Sequence, residues 1–293
     1  SNFSFVSDLI RLGLNSVNVL RNSFGEVFTS SMFNGLNKIS FGIIPKWNSY
    51  FPLVNKFVYQ TEKNDGEVKL VVYFPSCISR IMGPYNESKY NESQSAVMYR
   101  LFIKSGYKVI YPDNLKNLCC GMPFYSKGFT NQGDEKCHEL VEELDKASRS
   151  GEIPVVFDTS PCVKTVKKYL DDEKGHGVQI YDNIEFIADK ILDVVQITKI
   201  SEKITVHATC SSIKMEINEK LIKIAERCAE SVYVPEDVKC CGFAGDRGFT
   251  YPELNESALR PLREDISREN CNSGYSSSKT CEIGLSLHSG IEY

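Results

Sequence analysis

The sequence predicts an α/β protein of two pseudo-repeated domains. Each is a small, mostly parallel sheet flanked by helices, and both follow an N-terminal helical segment. Three observations carry this expectation. Short apolar runs of strand length alternate with helical patterns from residue 69 onward. The alternation restarts near residue 203. Each round carries an adjacent cysteine pair followed by glycine, Cys119-Cys120-Gly121 and Cys240-Cys241-Gly242, with further cysteines before and after. The expected divisions are 1–66 for the helical segment and connector, 67–200 for the first repeat and 201–293 for the second.

Residues 1–60 lack cysteine and read as helical, with breaks at Gly13, Gly25, Gly35 and Gly42 and an irregular apolar face of Leu9, Leu12, Val17 and Leu20. Lys46-Trp47 and the region of Pro52 read as a connector without chemistry. In the first repeat the expected strands are KLVVYF (69–74), KVIYP (108–112), VVFDT (155–159) and VQIYD (178–182). The helices between them centre on 93–105, with Ala96, Val97, Leu101 and Phe102 inward, and on 134–149, with Cys137, Leu140 or Val141, and Leu144 on one face. A third begins near Cys162 with Val163, Val166 and Leu170. A fourth opens on the capping pair Asp182 and Glu185 and turns Ile184, Ile187 and Ile191 inward. In the second repeat KITVHA (203–208) leads to Cys210 and one amphipathic helix bearing Ile213, Ile217, Leu221, Ile224 and Cys228. SVYVP (231–235) leads to the second CCG, a helix over 252–268 buries Leu254, Ala258, Leu262 and Ile266, and the segment 274–281 is strand-like and returns to the site.

With 42% hydrophobic and 25% charged residues, the composition is that of a globular protein long enough for two cores. A formal charge of -4 and the lack of a Lys/Arg run argue against bulk nucleic-acid binding. No stretch of about 18 apolar residues is present to span a membrane, and the first residues do not read as a secretory signal. Eleven cysteines recurring in one spaced pattern fit metal-ligating thiols in a reducing compartment better than a secreted disulfide framework.

The cysteines form two quartets. Cys77 is followed after 41 residues by Cys119-Cys120 and after 41 more by Cys162, whereas Cys210 is followed after 29 by Cys240-Cys241 and after 39 by Cys281. Adjacent cysteines sit about 3.8 Å apart at Cα, which suits a disulfide between them poorly. They suit a soft metal centre, with Gly121 and Gly242 leaving room for its approach. Four thiolates serve a [4Fe-4S] cluster or a structural zinc equally. All eight sit at or beyond the carboxyl ends of the expected strands, where ligands of parallel sheets gather and helix N-termini offset negative charge. Cys137 and Cys228 read as core residues and Cys271 as a surface or core residue.

Around the quartets, Arg247 suits either an anionic cluster or quinone head group, or, with Asp246, a loop-anchoring salt bridge. His207, three residues before Cys210, suits either a hydrogen bond to a redox centre or an ordinary structural role.

The duplicated Cys…CCG…Cys pattern resembles the cysteine-rich CCG domains of the heterodisulfide reductases, the glycolate oxidase iron–sulfur subunit and the lactate-utilisation proteins, over roughly residues 67–290. More narrowly, FPSC (74–77), HATCSSIKM (207–215), CCGFAGDRGF (240–249), PEL (252–254) and GYSSSKTCEIGLSLHSG (274–290) resemble the C-terminal region of FAD- and iron–sulfur-dependent D-lactate dehydrogenases. That resemblance implies an electron-transfer module bearing one or two [4Fe-4S] clusters. Electrons would come from upstream flavin (FAD) and ferredoxin-like domains absent from this sequence and pass to a membrane quinone or cytochrome. It also implies a cytoplasmic protein, or one peripheral at the inner face of the cytoplasmic membrane. In this reading the fragment does not itself oxidise lactate. One departure matters: the fully equipped motif closes with C-x-x-C, and its first cysteine is Thr159 in one half and Ser278 in the other. Four thiols per half count against heterodisulfide-reductase chemistry, which stays an alternative beside a structural zinc or docking domain.

Overall fold

The computed structural model describes residues 3–61, 68–172 and 177–293; Ser1, Asn2 and the expected boundary at residues 66 and 67 lie outside them. The fold is mixed α/β with two parallel sheets. Strands β1 (Pro52–Val54), β2 (Lys69–Phe74), β3 (Met82–Tyr85), β4 (Tyr107–Ile110), β5 (Val155–Phe157) and β6 (Ile180–Asp182) precede β7 (Ile200–His207), β8 (Ala229–Tyr233) and β9 (Ser273–Ser276). One sheet runs β4-β2-β5-β6 and the other β8-β7-β9, every pair parallel, while β1 and β3 form a separate antiparallel pair.

The continuous apolar run of β2 is explained by burial on both faces, as parallel sheets require. Val72 and Phe74 face a core closed by the helices Thr130–Ser148 and Ser160–Asp172; Val71 and Tyr73 face Met98, Phe102, Phe186 and Ile191 on the other side. The second sheet repeats this alternation. Ile204 and Val206 pack against Ala225 of the helix Asn218–Cys228. Thr205 turns the opposite way, its hydroxyl 3.4 Å from that of Tyr293, in the core that holds Cys241 and Cys281.

Several expectations needed correction. The N-terminal helix Phe3–Ile39 runs through Gly13 and Gly35 and departs from helical geometry at Gly25, whose φ of 82° suits glycine. Leu9 and Leu12 on it are exposed. The Pro52 connector contains β1, which pairs with β3. On the helix Gln94–Lys104 it is Met98 and Phe102 that are buried, while Val97 is 42% exposed. The helix expected after Cys210 is two, Cys210–Lys214 and Asn218–Cys228, separated where Glu216 takes a φ of 58°. The helix expected over 252–268 is also two, Pro252–Leu259 and Leu262–Glu269, divided at Pro261, which cannot continue a hydrogen-bonded turn; Leu254 is 49% exposed.

Candidate metal centres

Each half builds its site in the same three steps. A serine or threonine caps a short helix whose first residue is cysteine: Ser76 accepts from the Ser79 amide at 3.2 Å before Cys77, and Thr209 from the Ser212 amide at 3.2 Å before Cys210. The adjacent cysteines follow in the loops after β4 and β8. The last cysteine lies in the first turn of the helix Ser160–Asp172 or Lys279–Ser289.

These elements bring the four thiols of each half into mutual contact. Cys120 Sγ lies 3.1 Å from Cys162 Sγ, and Cys241 Sγ lies 2.9 Å from Cys281 Sγ. Cys77 hydrogen-bonds Cys119, and Cys119 in turn Cys120. Cys240 likewise touches both Cys210 and Cys241. None of the eight is in a disulfide. Sulfurs around a tetrahedral zinc would stand about 3.8 Å apart, given Zn–S bonds of about 2.3 Å. The quartets are therefore drawn in on themselves, and among the described residues no group of three or more His, Cys, Asp or Glu surrounds a metal position. A thiolate-held group requires the sulfurs to spread.

Contact and burial favour the protonated form of Cys77, Cys119, Cys120, Cys162, Cys240 and Cys241. Hydrogen bonding to Cys119 and then burial raise Cys77 well above the usual thiol range. Cys119 is pushed up to about 12, first through Cys120. Cys240 draws Cys241 down, but Cys281 and burial carry it up to about 12. A metal entering either quartet thus displaces protons, and its binding strengthens as pH rises.

Both CCG glycines are packing positions. Gly121 takes a φ of 83°, and a Cβ there would lie 2.4 Å from the Gly133 carbonyl oxygen. At Gly242, with φ of 70°, a Cβ would lie 2.6 Å from the Leu254 oxygen and 2.7 Å from the Ala258 Cβ. The space that a side chain would need is taken by the helix Thr130–Ser148 at Gly121 and by the helix Pro252–Leu259 at Gly242.

The two sites differ in surroundings. At the first, Cys119, Cys120 and Cys162 are buried and Cys77 half-buried, and buried Arg80 lies on the Cys77 helix with its guanidinium carbon 5.6 Å from the centre of the Phe74 ring. Its positive charge acts on Cys77, while its amines donate to the Leu115 and Leu118 carbonyls. Fully buried Asp158 accepts from the Tyr73 hydroxyl and the Ser76 amide, both at 2.8 Å. Thr159 Oγ1 lies 3.0 Å from Ser76 Oγ and 3.1 Å from Asp158 Oδ1. At the second site Cys210 and Cys240 are exposed, Cys241 and Cys281 buried. His207 is 2% exposed, its Nδ1 3.4 Å from Ser276 Oγ, and burial lowers its pKa to about 4. Ser278 Oγ lies 3.4 Å from Thr280 Oγ1.

The sites face one another. The helix carrying Cys162 packs on the helix carrying Cys210, and Met215 just beyond packs on the first core. Lys127 and Asp246 pair across the two CCG loops. Arg247 is exposed at the start of the short helix Arg247–Thr250. Cys137 and Cys271 are buried in the two cores and Cys228 ends its helix half-buried, all apart from the quartets.

The donor set fits a thiolate-held group. Four sulfurs per half match a [4Fe-4S] cluster or zinc. Buried polar atoms without a protein partner also lie nearby: Arg80 Nε three residues after Cys77, and His207 Nε2 and Ser277 Oγ flanking Cys210 and Cys281. Sequence reasoning missed Arg80, Asp158 and Asn255, the last donating to the Cys241 carbonyl. The repeated Ser/Thr-Cys-x-Ser at 76–79 and 209–212 was the one available signal, for the caps.

The family model for the cysteine-rich CCG domain matches residues 71–167 and 204–285. Lactate utilization protein A of Oceanobacillus iheyensis is 22% identical over 163 residues, 51% of this chain and 64% of that protein. A subunit of the anaerobic glycerol-3-phosphate dehydrogenase of Escherichia coli is 24% identical over 190 residues, 60% of this chain and 47% of its own length. Lactate utilization protein A of an Exiguobacterium strain is 22% identical, covering 74% of this chain and 90% of that one. The chain thus spans less than two thirds of the first two relatives. An aspartate racemase homologue from Pyrococcus horikoshii OT3 covers 76% of the chain and 91% of its own with a TM-score of 0.30 and 11% identity, too remote to carry an argument.

Proposed function

The chain belongs to the cysteine-rich CCG domain family, and from that premise we propose that it is an electron-transfer iron–sulfur module of a multi-component dehydrogenase. Cys77, Cys119, Cys120 and Cys162 would hold one [4Fe-4S] cluster; Cys210, Cys240, Cys241 and Cys281 a second. The observation that carries this reading is the duplication of one thiol quartet on two parallel sheets whose ligand helices pack together. Bound clusters supply one-electron exchange. The chain's own part is to fix eight sulfurs, to bury most of them, and to place the charge of Arg80 where it acts on Cys77.

In the finer reading the two CCG domains occupy 67–200 and 201–293 and accept electrons from an FAD domain that oxidises D-lactate or a similar 2-hydroxy acid. They pass them to a quinone or cytochrome at the inner face of the cytoplasmic membrane. The names of relatives in lactate utilization and glycerol-3-phosphate dehydrogenation support a hydroxy-acid or related substrate. No helix among the described residues is long and apolar enough to cross a membrane.

Anaerobically purified protein is to be analysed for iron, acid-labile sulfide and zinc, and examined by EPR after dithionite reduction. About four irons and four sulfides per filled quartet and a reducible signal are expected. Stoichiometric zinc without iron would replace the reading with a structural zinc domain, and turnover of a disulfide substrate would favour heterodisulfide-reductase-like chemistry.

A further inference from the structure

The two quartets are near copies, but the residue that ends the first strand of each half is not. In the first half it is Phe74, three residues before Cys77; in the second it is His207, three residues before Cys210. Phe74 shares a core with Cys120 and Cys162. By strand alternation His207 points to the same face as Thr205, whose hydroxyl meets Tyr293 in the core of Cys241 and Cys281. A polar ring therefore occupies, in the second half, the strand position and core-facing side that an apolar ring holds in the first.

That ring has one end satisfied. Ser276, opposite His207 in the β7–β9 register, has its hydroxyl 3.4 Å from Nδ1. We take the Ser276 hydroxyl as the donor to Nδ1, the arrangement in which the ring carries its proton on Nε2. That Nε2 is buried and meets no acceptor in the protein. A buried donor left unsatisfied is unfavourable, and a sulfur acceptor would relieve it. The Ser277 hydroxyl, four residues before Cys281, is likewise buried and unpartnered. At the first site the corresponding influence is the Arg80 guanidinium, a charge rather than a neutral donor.

We propose that His207 is a positioning and tuning residue of the second centre, donating a hydrogen bond from Nε2 to a sulfur of the group held by Cys210, Cys240, Cys241 and Cys281, so that the two centres of this chain differ in reduction potential. The proposal rests on the electron-transfer reading above. Hydrogen bonds to sulfur stabilise the more negative, reduced state, so His207 raises the potential of the second centre relative to the same site with phenylalanine.

The test uses the cluster-loaded protein in three forms: wild type, His207→Phe, which copies the residue of the first half, and His207→Gln, which keeps an N–H donor. EPR-monitored redox titration should show one potential falling in His207→Phe, the other unchanged, and the shifted value restored towards wild type in His207→Gln. Independently, protein labelled with 15N-histidine should give a weak 15N coupling to one reduced centre in pulsed EPR, lost in His207→Phe. If both potentials of a doubly loaded His207→Phe protein match wild type, or if labelled wild type gives no 15N coupling, the tuning role is overturned while the cluster reading stands. A wild type with no reducible centre overturns the cluster reading itself, and this inference with it.

Discussion

Lys127 Nζ lies 3.0 and 2.9 Å from the two carboxylate oxygens of Asp246, an ion pair that joins the loop after Cys119-Cys120 to the loop after Cys240-Cys241 across 119 residues of sequence. Both side chains are substantially exposed, so water and salt screen the attraction. Lys127→Ala should therefore cost below about 1 kcal/mol. A melting temperature close to wild type is expected. A large drop in thermal unfolding would show that this pair carries the contact between halves, contrary to the helix packing described above.

Gly242→Ala is expected to be far more damaging. The new Cβ meets the Leu254 carbonyl oxygen and Ala258 at a backbone angle unsuited to side chains. Strain and overpacking together should cost about 2–4 kcal/mol. Urea denaturation measures the loss, and Gly121→Ala should behave alike, because Gly133 blocks it in the same way.

The caps predict a smaller, paired effect. Ser76→Ala and Thr209→Ala each remove the acceptor for the amide of Ser79 or Ser212. About 1 kcal/mol is expected for each. Because the capped helices begin at Cys77 and Cys210, metal affinity in a chelator-competition titration should fall alongside stability.

Thiol labelling should separate the sites. In metal-free protein a maleimide is expected to modify Cys210 and Cys240, which are exposed, well before the buried Cys119, Cys120 and Cys162. Mass spectrometry of the digested protein reads the order. Metal loading should protect Cys210 and Cys240, whereas protection of Cys228 instead would place the ligands elsewhere.

Acid should weaken the metal-free fold through His207 and strengthen it through Asp182. Burial lowers the His207 pKa from 6.5 to about 4, so its contribution is present above pH 6.5 and is lost as pH falls towards 4, by about 3 kcal/mol. Burial raises the Asp182 pKa from 3.8 to about 6, so its contribution is present below 3.8 and is lost as pH rises through 6. The two oppose one another between pH 4 and 6. His207→Phe removes one of them, and its stability relative to wild type should rise as the pH of the denaturation series falls from 7 to 4.

The strand KLVVYF was legible because a strand buried on both faces must be apolar throughout, and Val71 to Phe74 are. The quartets were legible because cysteine pairs followed by glycine recur with matching flanks. The helix breaks at Glu216 and Pro261 were hidden by apolar spacing that continues across them, although Pro261 was itself a visible stop signal. Asp158, Arg80 and Asn255 were not legible at all. Each acts through backbone groups distant in sequence, the Ser76 amide and the Leu118 and Cys241 carbonyls, and no local pattern marks such partners. The reason for the CCG glycines was only half legible: a special backbone is visible in sequence, but the helix that presses on it is not.

A run of rings reaches from the second CCG loop to the N-terminal helix. Phe243 meets Phe249 edge-on, Phe249 stacks on Phe51, Phe51 stacks on Trp47, and Trp47 leans on Phe33, with centroids 4.8, 5.4, 5.8 and 5.9 Å apart. Trp47 is the sole tryptophan of the chain. Its ultraviolet emission is thereby a built-in gauge of that loop, free of any attached dye: whatever rearranges the residues after Cys241 reaches the indole through three neighbouring rings.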